Sequence, residues 1–329
     1  MSTSAKRSPR ITALLWLASL LASALMLWLA REHFAIELWP ETIALPEPGL
    51  FALACALHPV YAVLRAMRLQ YALDPLVAAA EPGTRFDRRS LYGSGFVSFL
   101  VLLLMPLKLG EASRPILLAQ GRQPGVGLAE AIGAVALERV IDGVLICLML
   151  FGGLAAAHAD RALVHEQLGV VQAFGRLMAA GFGIALILAL LAARSPTRSA
   201  ALVAKLCAPL GPAISTFALR TTSRIAGSFA ALFGAQRWLA MVLVSLLYWA
   251  VTTAQLWLVA HACGVPMSVA AATATVAIIG LSIQLPGGPA QAGTFQVGAG
   301  AALTLLVGAI GSELAAVAAA SFVASMFAL

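Results

Sequence analysis

Charged residues are scarce in this chain. Asp, Glu, Lys and Arg make up 11% of the 329 residues, against about a quarter in soluble proteins. Hydrophobic residues make up 61%, and the mean hydropathy is +0.94. From Trp238 onward, Glu313 is the only residue with a formal charge. This scarcity excludes a soluble globular protein and predicts an all-α polytopic integral membrane protein, a helical bundle forming one transmembrane domain over residues 1–329.

Motifs of soluble enzymes and metal sites are also missing. The sequence contains no P-loop, no H-E-x-x-H and no G-x-S-x-G. The four cysteines are far apart, and the five histidines lack the spacing of a ligand pair. We therefore predict no metal, no cofactor and no enzymatic activity. The net charge of +7 fits cytoplasmic loops facing anionic lipid and predicts no nucleic-acid partner.

The distribution of positive charge predicts the orientation of the first spans. Residues 11–30 carry no charge and follow three basic residues, which indicates a retained first span with a cytoplasmic N terminus. Residues 31–48 hold four glutamates and one arginine, as expected of an outer loop. Residues 49–72 then return inward, with Arg65 and Arg68 predicted to be interfacial anchors.

Residues 194–237 hold six basic residues and no acidic one, which predicts a cytoplasmic segment. Within this segment, six apolar residues share one side of a helical wheel, with Arg220 and Arg224 opposite. This pattern predicts an amphipathic helix, either interfacial or packed in a loop. The apolar residues are Leu210, Ile214, Phe217, Ile225, Phe229 and Leu232.

Two apolar segments are interrupted by Pro and Gly. Spans at 128–157 and 170–193 place residues 108–127 in the cytoplasm, so residues 91–107 start and end on the same side. A re-entrant hairpin broken at Pro106 and Gly110 would enter the membrane and return to the same side, as this arrangement requires. The second interruption reads Q-L-P-G-G-P-A-Q-A-G-T-F-Q over residues 284–296, between predicted half-spans at 269–285 and 295–310. Such a pair indicates an inverted repeat with a binding site where the breaks meet, or a chance likeness between two breaks.

Charged residues within apolar surroundings mark a candidate site. They lie in K-L-G-E-A-S-R at 108–114 and E-R-V-I-D at 138–142, and hydrocarbon penalises each such group by several kcal/mol. Arg114 and Arg139 could bind a phosphate through their planar guanidinium forks. Alternatively, Arg139 with Asp142 and Arg114 with Glu111 form structural ion pairs. Lys108 could be a ligand or a lysine that snorkels to the interface.

These segments resemble a known family. The runs M-P-L-K-L-G-E-A-S-R at 105–114, A-L-E-R-V-I-D at 136–142 and L-P-G-G-P-A-Q-A-G-T-F-Q at 285–296 are similar to three motifs of the flippase-like family that includes the transmembrane region of lysylphosphatidylglycerol synthases. The resemblance implies a bacterial inner-membrane protein that translocates a polar lipid. The predicted substrate-binding residues, from the resemblance and from the polar breaks together, are Lys108, Gly110, Glu111, Arg114, Glu138, Arg139, Asp142, Gln284, Pro286, Gly287, Gly288, Gly293, Thr294 and Gln296.

The chain departs from the family pattern at two points. Gln296 stands where the family often has Glu, so a titratable carboxylate is absent from that loop. A soluble aminoacyl-transferase domain follows the membrane region in the synthases, and we expect none here.

Three functions remain open from the sequence. The first is translocation of a lipid or lipid-linked precursor with an anionic or zwitterionic head group. The second is a non-transporting scaffold that partners an envelope lipid or glycan biosynthesis enzyme. The third is a lipid-modifying enzyme that uses Glu138 and Asp142.

Overall fold

A computed structural model describes residues 9–34, 43–105, 110–160, 165–234, 237–285, 288–307 and 313–329. Over these residues the chain is helical and has no strand. Four helical segments are long and apolar enough to cross a membrane, namely Pro48–Ala80, Leu128–Ala157, Leu168–Arg194 and Trp238–Ala262. The α-helices are α1 Pro9–Phe34, α2 Pro48–Met67, α3 Gln70–Ala80, α4 Arg88–Leu104, α5 Ser113–Gln120, α6 Leu128–Asp160, α7 His165–Arg194, α8 Pro196–Cys207, α9 Pro212–Gly234, α10 Trp238–Ala262, α11 Val269–Ser282, α12 Thr294–Leu306 and α13 Glu313–Ala328.

The predicted all-α membrane fold is confirmed, and its helices begin where local chemistry favours a start. Asp87 precedes α4 and accepts a hydrogen bond from Ser90 N at 2.8 Å, and Ser268 does the same for Ala271 N at 3.2 Å before α11. Pro48 and Pro196 occupy the first turns of α2 and α8, where a missing N–H is harmless. The last part of the half-span predicted at 295–310 lies outside the described residues.

Helices α4 and α5 pack against each other as a short hairpin. Gly110 lies in the connection, and a methyl group there would lie 2.6 Å from the backbone nitrogen of Leu102 and 2.7 Å from the carbonyl oxygen of Val101. Only glycine allows the returning chain this close to the α4 backbone. Pro106 and Lys108 lie outside the described residues.

Helices α11 and α12 form a second hairpin. Gly298 of α12 packs so closely that a methyl group there would lie 3.0 Å from the Cα of Ile279 on α11. The connection contains a 3-10 turn, Pro289–Gln291, which contacts α4 of the first hairpin. The two interrupted segments predicted from the sequence therefore meet in space.

The long helix α6 is central to the bundle. It packs against α5 and α11 from the two hairpins and also against α7 and α9. Helix α10 packs along α2 and α11. The charged residues of the second motif are thereby enclosed on several sides.

The basic segment folds into α8 and α9, which pack as an antiparallel pair. Buried Ala200 and Ala204 allow close contact, and the Ser215 hydroxyl donates to the carbonyl of Ala204 at 2.9 Å. The apolar stripe predicted for α9 divides in two. Leu210, Ile214 and Phe217 are exposed, whereas Leu232 is fully buried. Tertiary packing therefore uses the second half of the stripe, and an interfacial position for the first half stays a prediction.

Candidate functional site

Glu138 and Asp142 lie one turn apart on α6 and are both almost completely buried. Arg68 lies between α2 and α3, is 0% exposed and contacts both carboxylates. Its Nη2 donates to Glu138 Oε1 at 2.6 Å and to Asp142 Oδ2 at 2.7 Å, and its Nη1 donates to Asp142 Oδ1. Such bidentate charge-assisted bonds are the strong ones in proteins.

Two further arginines contact the same carboxylates. Arg114, near the start of α5, donates to Glu138 at 2.8 and 2.9 Å and to the carbonyl oxygen of Arg65 at 3.1 Å. Arg139 donates to Glu138 at 2.8 Å and forms an ion pair with Asp142 at 3.3 Å. The Arg139–Asp142 pair predicted from the spacing of three residues is confirmed.

Aromatic side chains enclose this ionic cluster. The indole N–H of Trp249 donates to Asp142 Oδ1 at 3.2 Å. The guanidinium of Arg68 lies 4.4 Å above the ring of Tyr248, within the range of a cation–π contact. The Arg65 guanidinium lies 4.5 Å from the ring centroid of Phe99.

Positive charge exceeds negative charge in the cluster. Counting Glu111, which lies beside the cluster, four guanidinium groups (Arg65, Arg68, Arg114 and Arg139) accompany three carboxylates, which leaves an excess of one positive charge. Among the described residues Arg65 has no ion-pair partner. The buried Nε atoms of Arg68 and Arg114 lack hydrogen-bond acceptors in the same part of the chain. Because buried charge is costly without a partner, this surplus favours binding of an anion.

A cavity of about 360 Å³ lies beside the cluster. Arg65, Arg139 and Asp142 contribute to its polar wall, as does Glu111 of the first motif. Gln284 and Gln291 line it from the second hairpin. The structure therefore brings residues of all three motifs to one cavity between the hairpins.

Backbone strain accompanies this position of Gln291. Ala290 and Gln291 both have positive φ, at 55° and 63°, a conformation that is uncommon for residues other than glycine. Within the described part of the chain, the Oε1 atom of Gln291 is buried and has no hydrogen-bond partner. Strained residues of this kind concentrate at functional sites.

Several predicted site residues make contacts within the protein that shape the second hairpin. Methyl groups on Gly288 and Gly293 would lie 2.8 Å from Ser23 Cβ and 2.7 Å from Met26 Cβ of α1. The Gln296 side chain is buried and accepts from Gly293 N at 2.7 Å, and the Thr294 hydroxyl donates to the carbonyl of Gln291 at 3.0 Å. These four residues shape the loop that positions Gln291. Pro286 and Gly287 lie outside the described residues, as does Lys108.

Two predictions from the sequence are wrong. Arg68, predicted to be an interfacial anchor, is the most enclosed arginine of the ionic cluster, because α2 and α3 place it against α6. Glu111 and Arg114 do not form an ion pair in the described residues. Arg114 points to Glu138, and Glu111 is exposed at the cavity. The one sequence signal that could have identified Arg68 is its place inside an apolar helical segment, Pro48–Ala80.

The placement of His, Cys, Asp and Glu side chains relative to one another in the described part of the chain bears on metal binding. In the described ranges, no three His, Cys, Asp or Glu side chains come together as ligands would. Glu138 and Asp142 are instead occupied by guanidinium groups.

Comparison with known proteins agrees with the motifs. The family model described as lysylphosphatidylglycerol synthase TM region matches residues 16–329. No curated protein matches the chain, and no solved structure does so. The match spans nearly the whole sequence, so the chain belongs to the family of the lysylphosphatidylglycerol synthase transmembrane region.

Proposed function

We propose that this multi-pass membrane protein translocates a lipid with a phosphate-bearing head group between the two leaflets of the bacterial inner membrane. The observation that carries the proposal is the surplus of positive charge, four guanidinium groups against three carboxylates, at a cavity between two helical hairpins. A phosphodiester would neutralise this surplus and accept hydrogen bonds from guanidinium groups.

Arg139 is the residue best placed to bind the head group. Its side chain is 38% exposed and lines the cavity, whereas those of Arg68 and Arg114 are buried in ion pairs. Because Arg139 shares both carboxylates with Arg68, it can turn toward a phosphate without leaving either carboxylate uncompensated. Arg65, which also lines the cavity, would supply the second positive charge.

The two hairpins support a translocation path rather than a closed bundle. Helices α11 and α12 have 14 and 13 residues, and at 1.5 Å per residue they measure about 20 Å. The hydrocarbon core is about 30 Å thick. In our proposal both hairpins are re-entrant, the N terminus and residues 194–237 face the cytoplasm, and acyl chains stay in lipid while the head group crosses the cavity.

The proposal involves no covalent chemistry, and so the lipid emerges unchanged. This separates translocation from the enzymatic alternative, which predicts a modified lipid after incubation. It also separates translocation from the scaffold alternative, which predicts no movement between leaflets when the purified protein acts alone.

Reconstitution into liposomes tests the proposal. Vesicles containing a fluorescent phosphatidylglycerol are treated with external dithionite, which quenches only the outer leaflet. We expect the wild-type protein to expose the inner-leaflet label and Arg139→Ala to expose it more slowly by about tenfold, or 1.4 kcal/mol. Arg220→Ala is the matched control, because Arg220 is exposed on α9 away from the cavity.

Equal quenching in protein-containing and protein-free vesicles would contradict translocation of this lipid and favour the scaffold. Equal rates for the wild-type protein and Arg139→Ala would contradict the assigned role of Arg139. Mass spectrometry of the recovered lipid checks the remaining alternative, since a change in its mass would indicate an enzyme.

A further inference from the structure

An apolar groove of about 400 Å³ lies between α6, α10 and α11. Its walls include Met149 of α6, Ala250 and Trp257 of α10, and Val269 and Thr273 of α11, and no charged side chain of the described residues lines it. The Thr273 hydroxyl donates to the carbonyl of Val269 in its own helix at 2.8 Å, and so its hydrogen-bond donor is satisfied without a ligand. The groove suits a hydrocarbon chain.

This groove and the cationic cavity adjoin each other at Trp249. The Trp249 side chain lines both spaces, and its indole N–H is bonded to Asp142 of the ionic cluster. Trp249 thus presents a hydrogen-bonded edge to the cluster and apolar surface to the groove.

The direction of the groove follows from the same helices. Along α6, cavity residues end at Ile146 and the groove begins at Met149, one turn later. Along α10 the groove extends from Leu246 to Trp257, a distance of about 16 Å at 1.5 Å per residue. On α11 the groove is lined by Val269 and Thr273, and the cavity is lined by Gly280, about two turns further along the helix. The three helices therefore form one track that changes from cationic to apolar.

We infer that the groove is an acyl-chain subsite, occupied by one hydrocarbon chain of the same lipid whose phosphate lies in the cavity, with Trp249 at the boundary. This inference rests on the proposed function and adds where the chain lies. An anionic amphiphile matches the track, because its charged end requires the guanidinium groups and its uncharged end requires an apolar surface. A partner helix would satisfy only the groove.

Photo-crosslinking tests the subsite. The purified protein in nanodiscs is mixed with phosphatidylglycerol that carries a diazirine in one acyl chain, irradiated and digested, and the labelled peptides are quantified. We expect a higher labelling yield for the 246–257 peptide of α10 than for the peptide that carries the exposed face of α7. Leu177 and Ile184 on that face report contact with bulk lipid. Diazirine-labelled diacylglycerol, which has no phosphate, should label α10 no more than α7.

Two variants fill the groove from opposite walls. Ala250→Phe acts from α10 and Val269→Trp from α11, where Val269 is 63% exposed and has room for a larger side chain. We expect each to lower α10 labelling about tenfold, the effect of losing a hydrophobic pocket contact. Ala180→Phe on the exposed face of α7 is the matched control and should leave α10 labelling unchanged. Size-exclusion chromatography verifies that each variant is folded.

The outcomes separate the subsite from translocation. Labelling of α10 no greater than that of α7, or unaffected by both filling variants, would overturn the subsite even where liposomes show translocation. Equal labelling by diacylglycerol would overturn its link to the cationic cavity. Groove labelling that depends on phosphate, without movement of lipid in liposomes, would support the subsite and contradict only the proposed function.

Discussion

Arg68 donates hydrogen bonds to both carboxylate oxygens of Asp142, although 74 positions separate the two residues in the sequence. The same guanidinium also reaches Glu138, so one arginine connects the junction of α2 and α3 to two successive turns of α6. Hydrocarbon and protein offer these carboxylates no water, and Arg68 provides the charge that they require. The cavity is built around this contact.

Removal of Arg68 should destabilise the protein strongly. Arg68→Ala leaves Glu138 and Asp142 with less compensation in a buried site, and we expect a loss of about 3–5 kcal/mol. Arg65→Ala is the matched control, since Arg65 has no ion pair in the described residues and should lower stability by less than about 1 kcal/mol. Thermal unfolding in detergent measures both. Similar unfolding temperatures for the two variants would show that Arg68 does not hold the cluster together.

A small residue at position 110 should be essential for the first hairpin. Gly110→Ala places a methyl group 2.6 Å from the Leu102 backbone nitrogen. A backbone atom cannot move aside as a side chain can, so we expect a loss of about 1–3 kcal/mol. Gly152→Ala on α6 has nothing within 4 Å and is the control. It should be neutral or stabilising by up to about 1 kcal/mol, because alanine favours helix. A neutral Gly110→Ala variant would contradict the close packing of α4 against its return segment.

Gln296 should tolerate the carboxylate that the family often carries there. Its Oε1 accepts from Gly293 N at the start of α12, and a Glu side chain offers the same acceptor near the positive end of the helix. We therefore expect Gln296→Glu to unfold within about 1 kcal/mol of the wild-type protein and Gln296→Leu to lose about 1–2 kcal/mol. Calorimetry of the three proteins compares them. If Gln296→Leu is as stable as Gln296→Glu, the hydrogen bond from Gly293 N to the side chain at position 296 contributes nothing to stability.

Asp74 should connect parts of the chain that are distant in sequence. It is buried on α3, accepts from Phe86 N at 3.0 Å and forms ion pairs with Arg237 at 3.3 Å and Arg88 at 3.6 Å. Asp74→Ala removes the acceptor and the charge together, and we expect a loss of about 3 kcal/mol.

The conservative variant Asp74→Asn tests which property of Asp74 matters. It keeps an acceptor for Phe86 N and should recover part of the stability lost in Asp74→Ala. Hydrogen exchange of the 81–88 segment reports on the same contact. Unchanged protection in Asp74→Ala would contradict the assigned role.

The Pro and Gly interruptions were predicted because they are local signals. Clustered proline and glycine disfavour a continuing helix, and the half-span that the sequence predicts from Val269 has its observed end at Ser282, shortly before the P-G-G run. The pairing of Arg139 with Asp142 was predicted for the same reason, since side chains spaced three residues apart on a helix lie on the same face.

Arg68, by contrast, was misassigned because its partners come from another helix. At the end of an apolar stretch, Arg68 and Arg65 have the same local pattern and the same expected place at the interface. In the fold their burial differs: Arg68 faces α6, and Arg65 faces the cavity and Phe99. The pattern of apolar and charged residues within one helix does not predict that Arg68 is buried more deeply than Arg65.

Hydropathy, helix period and the stereochemistry of Pro and Gly act over a few turns. The class of the protein, the long helices, the two interruptions and the ionic residues of α6 could therefore be predicted from the sequence. The fold was needed to show that Arg114 pairs with Glu138 instead of Glu111, that Gly288 and Gly293 pack against α1, and that Trp249 lies between a cationic cavity and an apolar groove. These contacts join residues far apart in the chain. They depend on which α-helices pack against each other, and helices with similar apolar surfaces do not specify this locally.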